Sequence, residues 1–345
     1  MALRRRPAIG ERQDVLINEE LRRCVAFLCV DKHNEQTGVM NRIPAATAFF
    51  VAVPIDDNAW ICYAVTARHA IDLSQKYGTL YLRVNRRDGY EDVEVPQDAW
   101  VTHPTTDVAV AHVADRLFDP THPYAPTALS LERLITDEFA QEHSIGEGDE
   151  VIFIGLFVNY WGADRAQPIA RFGNISLGTR GKVPLRLNPA EDLVSVDAYL
   201  VEARSWGGQS GSPAFVSFTP ERELMTTGQF RQEGMTGMLL GLVHGHFDIE
   251  TKVEFIGDMP GSGHVNQNAG IAAVIPAQKI RDTLMEEEFE EERENERRKL
   301  AKQRPGSTPD TGLPVESYQR SDFMRDLKKV AKKQDRPSRP DQDKR

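Results

Sequence analysis

From Cys24 to about residue 275 the chain runs in short apolar bursts separated by turn-rich breaks. Cys24–Val30, Thr47–Val53, Trp60–Val65, Leu80–Val84, Val108–Val113, Val151–Val158, Val194–Val201 and Met238–Val243 are each of strand length, and many are rich in Val, Ile and Phe. Few helical stripes of ten or more residues separate them. That pattern disfavours a parallel α/β sheet, which needs helical crossovers, and predicts antiparallel barrels. Asn18–Arg23 reads as a short helix leading into the first strand, and Ala277–Leu284 as a helix that closes the fold.

After Leu284 the character changes. Glu286–Glu296 is mostly acidic and Arg297, Arg298 and Lys299 follow. These are good helix formers, and acid before base suits the helix dipole. An exposed charged helix over 285–304, ending near Pro305, is the expectation. Residues 305–345 are rich in Pro, Lys, Arg, Asp and Ser with few large apolar residues, which predicts a disordered tail. Ser321–Val330 is a candidate amphipathic turn or partner contact within it. The expected division is a flexible leader 1–15, a folded body 16–284, the charged helix 285–304 and the tail 305–345.

The chain has 345 residues, of which 40% are hydrophobic and 27% charged. That fits one or two globular domains with a solvated excess. A net charge of −10 gives no overall basic field for nucleic acid. No apolar run is long enough for a membrane span. The basic start Met1–Pro7 is followed by Gly10–Asp14 rather than an apolar stretch, so no cleavable secretory signal is expected. Three cysteines, Cys24, Cys29 and Cys62, cannot all pair internally. They point to a reducing, cytoplasmic setting.

The candidate chemistry centres on Gly207-Gly208-Gln209-Ser210-Gly211-Ser212-Pro213. Small flanking residues suit a tight turn that presents a hydroxyl and lets the backbone approach a substrate. A serine is a weak nucleophile without a base. A base is available upstream in Thr66-Ala67-Arg68-His69, and an acid to orient it in Thr106-Asp107-Val108-Ala109. Asp72 and Asp197 are weaker substitutes for that acid.

The order His69, Asp107, Ser210, with these local sequences, resembles the trypsin-like serine peptidases of the chymotrypsin fold, and among them the bacterial HtrA-type catalytic domain. Ala46–Val51, Gly148–Gly155, Arg171–Ser176 and Asn268–Pro276 are similar to further segments of that family, so the likeness covers roughly residues 24–284. Alanines 46 and 48 stand where the family has glycines. The resemblance implies two six-stranded antiparallel barrels, with His69 and Asp107 in the first and Ser210 in the second. It implies peptide-bond hydrolysis through an acyl-enzyme, with the N–H groups of Gly208 and Ser210 as the oxyanion hole. It also implies a protein or peptide substrate, with Arg204, His244 and His246 as candidates for the pocket that selects its side chain; were they to line it, an acidic side chain would be favoured. The tail is too short and polar for the peptide-binding domain that often follows HtrA domains.

No cofactor or metal is expected: His244 and His246 alternate on a strand without an obvious third ligand. Two other functions stay open. One is a protease-like fold used only for binding, with the C-terminal helix and tail recruiting a partner. The other is an α/β-hydrolase esterase using Ser210, Asp248 and His264.

Overall fold

The structure, a computed structural model, describes residues 17, 19–35, 37–57, 59–86, 88–118, 125–179, 181–187, 192–203, 208–218, 236–255 and 261–303, with backbone alone at 115, 236, 252–255, 261–266 and 303. A short helix α1 (Glu19–Arg23) precedes the first sheet. That sheet holds β1 (Val25–His33), β2 (Met40–Asp56), β3 (Ala59–Thr66), β4 (Leu80–Arg86), β5 (Gly89–Val95), β6 (Trp100–Thr102) and β7 (Ala109–His112). Its order is β5-β4-β1-β2-β3-β7-β6, and the two-residue β8 (Leu129–Ser130) lies on β2. Between β3 and β4 sit two short helices, α2 (Arg68–Ile71) and α3 (Leu73–Tyr77). Helix α4 (Asp137–Glu142) leads into the second half, its first turn capped by Thr136, whose hydroxyl accepts from the Phe139 N–H.

The second half contains β9 (Glu150–Gly155), β10 (Ile169–Leu177), a separate hairpin of β11 (Lys182–Arg186) and β12 (Leu193–Asp197), then β13 (Tyr199–Glu202), β14 (Pro213–Ser217), β15 (Thr236–Phe255) and β16 (Gly261–Pro276). Six of these close an antiparallel barrel in the order β10-β13-β16-β15-β14-β9. The chain is therefore mostly β, with a closed six-stranded barrel beside a second antiparallel sheet. Among the described residues the only parallel contacts are the β2–β8 pair and a single Leu134–Leu239 bridge. No parallel doubly wound sheet is present among them, which removes the α/β-hydrolase alternative.

The inward faces carry the large side chains. Phe27, Phe49, Phe50, Tyr63, Phe153, Phe215 and Phe218 are all fully buried. Each such aromatic contributes roughly 1.5–3 kcal/mol over an exposed one. Phe50 meets Phe118 edge-on at 5.1 Å between ring centroids.

Three elements differ from the sequence reading. The run Val194–Val201 splits at the buried Ala198: β12 pairs with β11, whereas β13 pairs with β10 and β16. Strands β15 and β16 extend far beyond Val243, pairing in register out to Phe255 and Gly261. The signal for this extension was in the sequence: Phe247, Ile249, Val253 and Phe255 alternate with Asp248, Glu250, Lys252 and Glu254, but a reading built on continuous apolar runs stopped at Val243.

The third difference is at the C-terminus. Helix α5 (Ala277–Leu284) is followed by α6 (Glu287–Gln303), and α6 is not simply exposed. Phe289, Arg293 and Arg297 recur every four residues and so share one face. Phe289 packs edge-on against Tyr63 at 4.9 Å, and Arg293 is only 1% exposed. Arg293 Nη1 donates to the Tyr63 hydroxyl at 3.3 Å, and Arg297 Nε to the Ile55 carbonyl at 3.2 Å. Glu292 pairs with His112 at 2.6 Å. Burial, only partly offset by Arg293, pushes the Tyr63 phenol up to about 12. This packing lies within Met1–Arg297, the larger of the two compact units of the chain; the second begins at Arg298, inside α6. The expected leader 1–15 and tail 305–345 fall outside the described residues.

Candidate active site

Strand β3 delivers its last residue, Thr66, and then Ala67 into the interior, both fully buried. Ala67 is extended and α2 begins at Arg68, so His69 emerges on the first helical turn. Strands β6 and β7 are joined by a short loop that carries Asp107, itself fully buried. The Asp107 carboxylate holds His69 at two points. One oxygen accepts the His69 backbone N–H at 2.9 Å, and the other meets ring Nδ1 at 2.8 Å. An ionised carboxylate only accepts, so Nδ1 carries the proton and Nε2 of the neutral ring is a bare acceptor.

A buried carboxylate is costly unless paired. Burial alone would raise the Asp107 pKa, but the two imidazoles and their hydrogen bonds overcome this and hold it far below the usual carboxylate range. For His69, burial disfavours the cation, and the attraction and hydrogen bond of Asp107 outweigh burial, so its pKa is raised.

Ser210 lies on a turn that is tied to the first sheet. The Thr47 N–H donates to the Ser210 carbonyl at 2.9 Å, and Thr47 Oγ1 donates to the Gly208 carbonyl at 2.9 Å. The same Thr47 hydroxyl accepts the Leu156 N–H at 3.0 Å, and Thr66 Oγ1 donates to the Thr47 carbonyl at 2.7 Å. Gly211 has φ +81, and a Cβ there would sit 2.1 Å from the Thr47 carbonyl and 2.4 Å from Thr66 Oγ1. Only glycine permits this approach. The Ser210–Gly211 turn is thereby pressed against Thr66 and Ala67, the residues that lead into His69. Ser210 is half-buried. Gly208, at φ +89, is likewise walled by Leu156 and Val158.

His244 is a residue whose contact the sequence did not reveal. Its Nδ1 lies 2.5 Å from the Asp107 oxygen that also meets His69, and the two imidazoles stand edge-on at 5.2 Å. The cause is a β-bulge: Val243 pairs with Val274 and Gly245 with Ala273, leaving His244 as the extra residue. Bulges re-aim a side chain in this way. The following Gly245 was the one sequence signal for it. His246 pairs instead with Asp248 at 3.3 Å, and both histidines line a cavity of about 800 Å³ that also carries Arg186 and Glu250. Arg204 lies outside the described residues. Asp197 is engaged with Lys182 at 2.9 Å and is not part of this group.

Comparison with known proteins gives fold neighbours only. No family model matches the chain. No curated protein matches it either. Similar solved structures include Rv3671c from M. tuberculosis H37Rv, an inactive serine-to-alanine form. It is 16% identical with a TM-score of 0.39, covering 80% of this chain and 96% of that one. Human heparin binding protein is 11% identical with a TM-score of 0.40, covering 77% and 91%. A cysteine-to-alanine mutant of the tobacco etch virus protease is 11% identical with a TM-score of 0.37, covering 81% and 83%. These neighbours are chymotrypsin-fold proteins of the serine and cysteine protease kind.

Proposed function

We propose that this chain is a serine endopeptidase in which Ser210 attacks the peptide carbonyl, His69 takes and returns the proton, and Asp107 fixes the His69 tautomer. The observation that carries this reading is the two-point hold of the fully buried Asp107 on His69, at the backbone N–H and at Nδ1. A histidine kept with a bare Nε2 beside a serine turn is equipped for general-base work. The tight packing of Gly211 on Thr47 and Thr66 supports Ser210 as the partner of that base. The N–H groups of Gly208 and Ser210 are the proposed oxyanion donors, each such donor contributing roughly 3–4 kcal/mol to the barrier reduction.

The finer assignment to an HtrA-like branch rests on the motif likeness alone. A reducing compartment rests on the odd, low cysteine count; Cys24, Cys29 and Cys62 are all buried in this structure. Burial pushes the Cys29 thiol up to about 12, which keeps it inert. His246 and Arg204 remain the candidates for contacts with the substrate side chain.

Incubation of the full chain with an unfolded protein, followed by mass spectrometry of the fragments, tests the reading. New peptide termini that vanish with Ser210→Ala are expected. The absence of cleavage by wild type, or equal cleavage by Ser210→Ala, would contradict it. The residue before each cut reports specificity, and cuts mainly after basic or large apolar residues would remove an acidic preference.

A further inference from the structure

His69, Asp107 and His244 come from three separate segments, yet each places a ligand-type nitrogen or oxygen within 4.8 Å of the others. His244 and His246 lacked a third ligand in the sequence; the fold instead gives His244 two different companions. As the chain stands, the Nδ1 to oxygen separations of 2.8 and 2.5 Å are hydrogen-bond distances. Around a tetrahedral zinc with bonds of 2.0–2.1 Å, ligand atoms stand roughly 3.3 Å apart. Opening the trio by less than about 1 Å makes that room. The movable partners are the two imidazoles, both part-exposed, while the carboxylate is fixed.

The other requirements of a metal site are met. Two neutral imidazoles and one carboxylate form a ligand set suited to a zinc-type dication, with a fourth position left to water. The second Asp107 oxygen is held by the His69 backbone N–H at 2.9 Å, an outer contact that orients the carboxylate. His244 borders an open cavity of about 800 Å³, which supplies an entry path. The net charge of −10 favours approach of a cation.

We propose that His69, Asp107 and His244 form a binding site for a zinc-type dication, and that its occupancy switches Ser210 off. The binding half stands on this geometry alone, while the switch rests on the serine-peptidase reading. The proton balance gives the mechanism. Metal on Nδ1 displaces that proton to solvent, and each ring regains one at Nε2, so both imidazoles stay neutral. His69 then presents N–H where it must present a bare nitrogen, and the Ser210 proton has nowhere to go.

The test uses full-length Ser210→Ala, stripped with a chelator and titrated with cobalt(II) by calorimetry and visible absorption. One cobalt per chain is expected, with tetrahedral-type bands that zinc displaces. His244→Gln on that background should weaken affinity at least ~10-fold. Because a variant can misfold, a second readout needs none: imidazole ¹⁵N spectra of wild type on zinc addition. The Nδ1 signals of His69 and His244 should move together. Absence of one-to-one uptake at micromolar metal, uptake unchanged by His244→Gln, or zinc leaving both rings unmoved would overturn the site.

The switch is read separately, as loss of fluorophosphonate labelling on adding zinc and its return on chelation. Labelling that persists on the zinc-loaded wild type would overturn the switch but not the site. A chelated wild type that never labels would remove the peptidase reading and the switch together, leaving the cobalt result to decide the site.

Discussion

Asp107 grips His69 through both its backbone N–H and its ring Nδ1, at 2.9 and 2.8 Å, so ring tautomer and helix position are set by one carboxylate. Asn at 107 keeps the shape but offers one neutral oxygen and a donor amide. It cannot accept from His69 Nδ1, His69 N–H and His244 together. Asp107→Asn should slow turnover by a factor on the order of 10⁴ while the protein stays folded. Hydrolysis rates of chelated wild type and variant, with circular dichroism as the fold control, check this.

Gly211→Ala tests the junction between the serine turn and the His69 segment. The added methyl would need to occupy space 2.1 Å from the Thr47 carbonyl, at a φ of +81. The left-handed conformation alone costs an L-residue about 1–2 kcal/mol. The expected outcomes are a lower unfolding midpoint and lost activity, both read on the purified variant. Wild-type stability together with wild-type activity would show that the turn is not held as described.

Arg293 ties α6 to Tyr63 and pairs with Glu290 of the same helix. Arg293→Ala removes buried packing and leaves the Tyr63 hydroxyl without this donor, so a loss of about 1–3 kcal/mol is expected. Glu288→Gln, at an exposed position on the same helix, should stay within about 0.5 kcal/mol of wild type. Denaturant unfolding of both variants makes the comparison.

The same helix gives a pH prediction. Glu290 accepts from Arg293 and Arg297, and these contacts lower its pKa despite some burial. A carboxylate depressed in the folded state contributes stability above its unfolded pKa, near 4.3, and loses it as pH falls through the folded value. The stability gap between wild type and Glu290→Gln should therefore be constant near neutrality and close below about pH 4. Unfolding midpoints measured across that range check the sign.

Much of the fold was legible because its signals were local. The apolar runs found most strands, and Ala277–Leu284 is the observed α5. The motifs around His69, Asp107 and Ser210 fall on segments that the structure packs together. What stayed hidden depended on distant partners. The bulge that turns His244 toward Asp107 needs the β15–β16 register. The buried face of α6 was masked because Arg293 reads as a solvated charge until Tyr63 and Glu290 surround it. The separate destinations of β12 and β13 depend on which neighbours each one meets.

Fluorophosphonate labelling of the chelated full-length protein, beside Ser210→Ala and His69→Ala, tests the central claim most directly. The account predicts a single adduct on Ser210 in wild type and none in either variant. A folded wild type that does not label, or labelling that survives Ser210→Ala, would contradict it.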